Sequence, residues 1–356
     1  MGLPQTGIAM DKGKEKMETK RLTDTPADLQ KAAKLLRSGE LVAIPTETVY
    51  GLAANALDGE AVRRIFAAKG RPQDNPLIVH IADMEELPPL VAEVPELAGK
   101  LAKAYWPGPL TMIFRKSARI PDEVSAGLST VAVRMPFHPL ARAVIRAAGV
   151  PLAAPSANLS GSPSPTTAAH VLADMEGRIS AVLDGGMSAV GVESTVVDVT
   201  GPVPCLLRPG GITPAMLAAV AGGVSVNPAV TSPLPKGAAA ASPGMKYKHY
   251  APKAHVVLVR GTPAAYAAFV NSRRNDPVTA MCFDGEEGNL RVPYITYGRR
   301  DDPAEQAHRV FDALRRLDDI GAGTVYCACP SEEGVGLAVY NRLLRAAAFE
   351  VIDVDG

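Results

Sequence analysis

The chain has 356 residues, 47% of them hydrophobic, with 37 Lys+Arg against 37 Asp+Glu. That length and apolar content fit roughly two globular domains and exclude a disordered chain. Zero net charge excludes attraction of nucleic acid or a membrane by a global field and leaves only local patches for it.

Four cysteines, Cys205, Cys282, Cys327 and Cys329, are too few for a disulfide framework. Cys327 and Cys329 lack the second pair that a zinc site needs, and a reducing cytoplasm fits. No apolar run approaches the roughly 20 residues of a membrane span. The stretch to residue 22, opening "MGLPQTGIAMDKGKEKMETK", has no signal-peptide core. It reads as a flexible leader with Met17 as an alternative start.

From Thr25, "TPADLQKAAKLLRSGE" predicts a helix, with a Thr cap, proline at the first position and Gly39 as the stop. "LVAIPTETVYGLAANAL" predicts a buried strand broken by a turn at Pro45, "DGEAVRRIFAAKG" a helix ending at Gly70, and "PLIVHIA" a strand. "ELAGKLAKAYW" and "HPLARAVIRAAG" read as helices, and "PLTMIFR" and "TVAVRMP" as strands. "PLAAPSANLSG" is a strand running into a loop; "AVLDGG", "STVVDV" and "CLLRPGG" close the set. The alternation predicts an α/β layer structure over 23–220.

Residues 221–253 lose all hydrophobic period and turn rich in Gly, Pro, Ala and Ser, as a linker does. A second α/β pattern fills 254–356. "HVVLVRG", "TAMCFDG" and "TVYCAC" read as strands, and "TPAAYAAFVNSRR", "PAEQAHRVFDALRRLDDIG" and "GLAVYNRLLRAAA" as helices, a small doubly wound unit.

There is no P-loop, H-E-x-x-H or nucleophile elbow, and "GVGLAV" carries only part of a dinucleotide fingerprint. The chemistry lies in polar clusters at strand ends. "IPTETVYGL" offers Thr46, Glu47, Thr48 and Tyr50, and "AKGRPQDNPLIVHI" offers Lys69, Arg71, Asn75 and His80. "STVAVRMP" carries Arg134, and "APSANLSGSPSPT" carries Ser156, Asn158, Ser160, Ser162 and Ser164. "GVESTVVDV" adds Ser194 and Thr195, and "LLRPGG" adds Arg208. In open α/β sheets ligands lie beyond strand ends, and hydroxyls, amides and cations are what phosphate oxygens need. Any one cluster alone reads more readily as structural; together they predict one anion-binding cavity. His80, between Val79 and Ile81, reads equally as a core histidine. In the linker, "SPGMKYKHYAP" puts Lys246, Tyr247, Lys248, His249 and Tyr250 into a basic-aromatic patch suited to stacking on a base or holding phosphate.

The ordered motifs "PTETVYGL", "KGRPQDNPLIVHI", "WPGPLT", "VAVRMP", "PLAAPSANLSG", "ESTVVDV" and "LLRPGGI" resemble the YrdC-type threonylcarbamoyl-adenylate synthases. The linker and second unit resemble the long, two-domain form of that family. The resemblance implies a twisted open mixed sheet with a concave, positively charged cavity, joined by a long linker to a smaller Rossmann-like α/β domain. It implies synthesis of threonylcarbamoyl-AMP and pyrophosphate from L-threonine, bicarbonate and ATP, for modification of adenosine 37 of tRNA. Mg²⁺ would come with ATP and have no protein ligand.

Carried over motif by motif, Lys69, Arg71, Ser156 and Asn158 would hold the reacting carbamate and α-phosphate. Thr48 (or Thr46, on the same strand parity), His80, Arg134, Ala154 and Ser194 would line the threonine side. Arg71, Asn75, Thr130, Ser156, Ser164 and Arg208 would contact ATP, with Tyr250 closing over it. The implied partners are the downstream threonylcarbamoyl-transferase complex and a weak direct tRNA contact. An RNA-binding module without synthase activity is the competing reading, weakened by zero net charge. The carbamoyl-adenylate domain of hydrogenase maturation enzymes is another, weakened by the lack of their acylphosphatase and zinc-finger regions.

Overall fold

The computed structural model describes residues 18–234, 242 and 249–355. Lys246, Tyr247 and Lys248 of the basic-aromatic patch lie outside them.

The first domain runs β1 (Lys20–Leu22), α1 (Pro26–Arg37), β2 (Val42–Ile44), β3 (Gly51–Asn55), α2 (Gly59–Lys69), β4 (Ile78–His80), α3 (Glu96–Tyr105), β5 (Leu110–Arg115), α4 (Asp122–Ser125) and β6 (Thr130–Arg134). It continues with α5 (Pro139–Ala148), β7 (Leu152–Ala153), α6 (Ala168–Met175), β8 (Ala181–Leu183), β9 (Thr195–Asp198), β10 (Cys205–Arg208), α7 (Pro214–Ala221) and β11 (Ser225–Val226). The second runs β12 (His255–Arg260), α8 (Pro263–Asn271), β13 (Val278–Cys282), β14 (Tyr294–Thr296), α9 (Pro303–Asp319), β15 (Thr324–Ala328), α10 (Gly336–Ala346) and β16 (Val351–Asp353).

Local chemistry sets the element ends. The Thr25 hydroxyl accepts from Asp28 N at 3.2 Å ahead of Pro26, and Asp58 accepts from Glu60 N at 2.9 Å to start α2. Gly70 stops α2 in the left-handed region, φ +60°, a conformation that costs a side chain and not glycine. That turn throws Lys69 and Arg71 off the helix end.

The first sheet is mixed, in the order β1-β8-β2-β3-β7-β4-β6-β5-β9-β10-β11. β1 pairs with β8 from Lys20 onward, so the ordered chain reaches back inside the leader drawn to residue 22. β11 and a 3-10 turn at Pro228–Val230 likewise give the first part of the 221–253 linker defined structure. The second sheet is all parallel, in the order β14-β13-β15-β12-β16.

Strand parity decides the two faces of the first sheet. Ala43, Leu52, Val79, Met112 and Val133 pack on the side of α2, α3 and α6. Val42, Ile44, Ala53 and Leu152 pack on the other side against α1 and α5. Those two helices cover only the β8-β2-β3-β7 half of their face. On the rest of that face, Ile78, Ile113, Ala132, Val196 and Leu207 are covered by Ala229 and Leu234 from beyond β11. The second domain packs alongside, its core taking in Val49 and Val192 with Phe311 and Tyr250. Gly191, φ +83°, permits the contact: a Cβ there would lie 2.4 Å from the Ala307 carbonyl oxygen of α9. Arg315 of α9 adds an ion pair to Asp174 at 3.0 Å and donates to the Pro163 carbonyl at 2.6 Å.

Candidate active site

A concave cavity occupies the half of the face that α1 and α5 leave bare. Its floor is the sheet. In register, His80 of β4 pairs with Arg134 of β6, which pairs with Thr111 of β5, and Gly51 bridges Ser156. Arg134, His80, Thr48, Ala154 and Ser194 all line it, which brings the expected threonine-side residues together. Arg71, Ser156, Arg208 and Tyr250 line it as well.

Arg134 is held from three sides. It donates to the Thr48 hydroxyl at 2.8 Å and to the Gly108 carbonyl at 3.3 Å. Glu47 Oε1 lies 2.7 Å from its Nη2. That contact is out of line for a directed hydrogen bond, so it holds by charge. Thr46 and Thr48 share a 2.8 Å hydroxyl contact, so the two behave as one unit.

Arg208 reaches the cavity through a register shift in the β9–β10 pairing between Leu206 and Arg208. Strict alternation would send Arg208 to the Leu206 face; the irregularity re-aims it. It donates to the Ser194 carbonyl at 3.1 Å and the Ser194 hydroxyl at 3.2 Å.

Lys69, Asn158, Asn75, Thr130 and Ser164 do not line the cavity. Lys69 Nζ donates to the Ser156 carbonyl at 2.5 Å and the Asn158 carbonyl at 2.6 Å, so it braces the Ser/Asn loop from behind. The Asn158 amide donates to the Leu159 and Ser162 carbonyls, closing the same loop. The Asn75 carbonyl accepts from Arg71 at 3.2 Å. Thr130 sits at the far end of β6, roughly 13 Å from Arg134 at the rise of a strand. Ser164 donates to Glu193.

Sequence reasoning missed Glu193 as a cavity residue, and Arg342 behind it; His249, from the basic-aromatic patch, lines the cavity with Tyr250. Among the described residues the buried bases other than histidine are Lys69, Arg71, Arg134, Arg208, Arg342 and Arg345; the buried acids are Glu47 and Glu193. All contact the cavity wall or lie close behind it. Such a gathering of buried cations is what an anionic ligand would pair with.

The titrations follow. Burial, then Arg208, pushes Arg71 down to about 10, with Tyr250 opposing. Burial and Arg71 carry Lys69 well below the usual amine range. Burial would raise the Glu193 carboxyl, but Arg342, Arg208 and the Ser164 hydroxyl outweigh it and hold it low. Burial, then Arg134, takes His80 to about 3; burial, then Arg71, takes His249 to about 3.

Both histidines are therefore neutral in the folded protein, whereas the unfolded chain protonates them near pH 6.5. Stability is full above that pH and falls with acid through the 6.5–3 window, because only the unfolded state takes up the protons. The expected slope there is about 1.4 kcal/mol per pH unit for each histidine. Urea unfolding at pH 7, 6 and 5 checks it; His80→Gln should flatten the slope, and an unchanged slope would mean that His80 is protonated when folded.

A basic, concave cavity on the half-covered face of a mixed sheet, walled by a second α/β domain, defines a two-domain α/β protein. A family model described as "Telomere recombination", covering Sua5, YciO and YrdC, matches residues 34–210, and one described as the threonylcarbamoyl-AMP synthase C-terminal domain matches 212–348. The chain is 46% identical over 332 residues to the threonylcarbamoyl-AMP synthase of Pyrococcus abyssi, covering 91% of this chain and 95% of that one. It is 45% identical over 338 residues to that of Bacillus subtilis, covering 94% and 97%. A crystal structure of P. abyssi Sua5 complexed with L-threonine superimposes with a TM-score of 0.87 at 43% identity, over 94% of this chain and 99% of that one. The chain belongs to the threonylcarbamoyl-AMP synthase family, in its two-domain form, and is an enzyme of the nucleotidyl-transferase class.

Proposed function

We propose that the cavity binds L-threonine and ATP side by side and joins them through bicarbonate into threonylcarbamoyl-AMP, releasing pyrophosphate. The observation that carries this is the convergence of Arg71, Arg134 and Arg208 with Thr48, Ser156 and Ser194 on one cavity. Arg134, fixed by Thr48 and Glu47, pairs with the threonine carboxylate. The threonine amine captures carbon dioxide derived from bicarbonate and sheds a proton to become a carbamate. A carbamate oxygen attacks the α-phosphorus, and the bond to the departing pyrophosphate breaks. Such a reaction needs positioning and charge neutralisation more than a protein nucleophile.

Arg71 is suited to the α-phosphate, since its buried Nε has no hydrogen-bond partner among the described residues. Lys69 acts through the Ser/Asn loop that it braces. Arg208 faces the nucleotide phosphates; Asn75 supports Arg71 and Ser164 engages Glu193 from behind the wall. Tyr250, buried with φ +65° and stacked 5.3 Å from Phe311, closes the mouth. A bulky residue held in that backbone region is a strain that functional segments carry.

Among the described residues no three His, Cys, Asp or Glu side chains gather as a metal set, and Glu193 is engaged by Arg342 and Ser164. Mg²⁺ would arrive on the ATP phosphates, where it would neutralise charge on the leaving pyrophosphate. No helix among the described residues is long and apolar enough to cross a membrane.

The test is pyrophosphate release with ATP, Mg²⁺, bicarbonate and a panel of amino acids. Release dependent on threonine is expected. Release that ignores the amino acid, or none with threonine, would overturn the reading.

A further inference from the structure

Helix α10 carries a row of buried polar side chains, Asn341, Arg342 and Arg345. Such groups on a domain-surface helix normally face water, and a guanidinium taken out of water demands a carboxylate and full hydrogen bonding. Arg342 has both. Its Nε donates to Glu193 Oε2 at 2.7 Å and its Nη2 to the Glu193 carbonyl at 3.2 Å. Its Nη1 donates to the Pro209 carbonyl at 3.0 Å and to Asn341 Oδ1 at 2.9 Å. Glu193 lines the cavity, and Pro209 directly follows the cavity residue Arg208. The other Glu193 oxygen takes the Ser164 hydroxyl. On the same helix, Asn341 donates to the Val230 carbonyl at 2.6 Å and Arg345 to the Ala229 carbonyl at 2.8 Å. The chain leaving the first domain is thereby fastened over the apolar floor.

We infer that Arg342 is a positioning residue for the adenylyl transfer, holding Glu193 so that Arg208 is set for the nucleotide. The second domain, on this inference, completes the site of the first; it rests on the synthase reading above. Glu193 is faced by Arg342 from α10, Arg208 from β10, Lys69 from α2 and the Ser164 hydroxyl. Without Arg342, the Glu193 carboxylate draws on Arg208, and a guanidinium already neutralised is a poorer partner for phosphate. The same loss raises the Glu193 carboxyl, because the first cation opposing its burial is gone.

The experiment measures steady-state kinetics of full-length Arg342→Met, Arg342→Lys and Arg342→Met/Glu193→Gln against ATP and threonine across pH, with thermal unfolding of each. For Arg342→Met the KM for ATP should rise about tenfold, the scale of one charge-assisted hydrogen bond. The KM for threonine should stay put, and the acid limb of kcat/KM for ATP should move to higher pH. Adding Glu193→Gln, which removes the orphaned charge and keeps an acceptor for Ser164, should return most of the ATP KM. Wild-type ATP kinetics and acid limb in Arg342→Met, or no recovery in the double variant, would overturn the inference. If Arg342→Met does not fold, Arg342→Lys decides, with a rise of about threefold in the KM for ATP expected and an unchanged value overturning it. An inactive wild type would sink the synthase reading; an active wild type with silent Arg342 variants sinks this inference alone.

Discussion

Arg134→Met is expected to raise the KM for L-threonine by about 100-fold, the order that a well-placed charged hydrogen-bond pair supplies. It is also expected to destabilise the fold by about 3–5 kcal/mol, because Glu47 stays behind as a buried carboxylate without its cation. Both side chains of this pair are almost completely out of water, 4% and 7% exposed, so solvent screens little of that loss. The two effects separate in the double variant Glu47→Gln/Arg134→Met. Stability should recover there because the orphaned charge is gone, while threonine use should not. Urea unfolding and steady-state kinetics read the two arms. Recovery of the threonine KM in the double variant would place the amino-acid carboxylate somewhere other than Arg134.

Ending the chain after Gly223 is expected to lower synthase activity at least about 1,000-fold, while far-UV circular dichroism still reports the first domain's helices and sheet. Its two main apolar clusters are drawn from residues before that point, which is why the secondary structure should survive. What is lost is the far wall. Ala229 and Leu234 no longer cover Ile78, Ala132 and Leu207, Tyr250 and His249 leave the mouth, and Glu193 loses Arg342. Water then enters beside the phosphates, and the cavity's cations act through a higher dielectric. Losing one preorganised donor commonly costs about 100- to 1,000-fold, and here several go together. Activity within about tenfold of the full chain would mean that the first domain works uncovered.

The caps and breakers were readable from composition alone. Thr25-Pro26 starts α1, Asp58 starts α2 and Gly70 ends it, each by a hydrogen bond or a backbone angle confined to a few neighbouring residues. The strands of the cavity floor were readable as apolar runs, and the polar residues interrupting those runs marked much of the site. Short and edge elements were not. β1, β14 and β16 are three residues each and gain their order from a neighbouring strand. α7, PAMLAAVA, is apolar on every side, so its sequence lacks the contrast of polar and apolar faces that marks a surface helix.

Within the site, the polar clusters announced which residues gather but not how each one points. Lys69 reads as a phosphate cation and instead holds two loop carbonyls, because it belongs to the last residue of α2 and packs under the loop. Arg208 reads as a cavity cation, but what aims it there is the register shift of β10, which no local pattern announces. Arg342 gives no local signal at all. In "GLAVYNRLLRAAA" it sits where a solvated helix would show water a charge, and only the docking of α10 against Glu193 buries it.

Short-range forces act between residues that the chain already keeps adjacent, so capping, turn chemistry and hydrophobic period can be read along one dimension; they specify two α/β units and the residue types of a phosphate-handling cavity. Burial and charge pairing depend on what arrives from far along the chain. The bare half of the sheet face, the wall contributed by α10 and the direction of each guanidinium therefore follow from packing in three dimensions, where the cost of an unpaired buried charge chooses the partner.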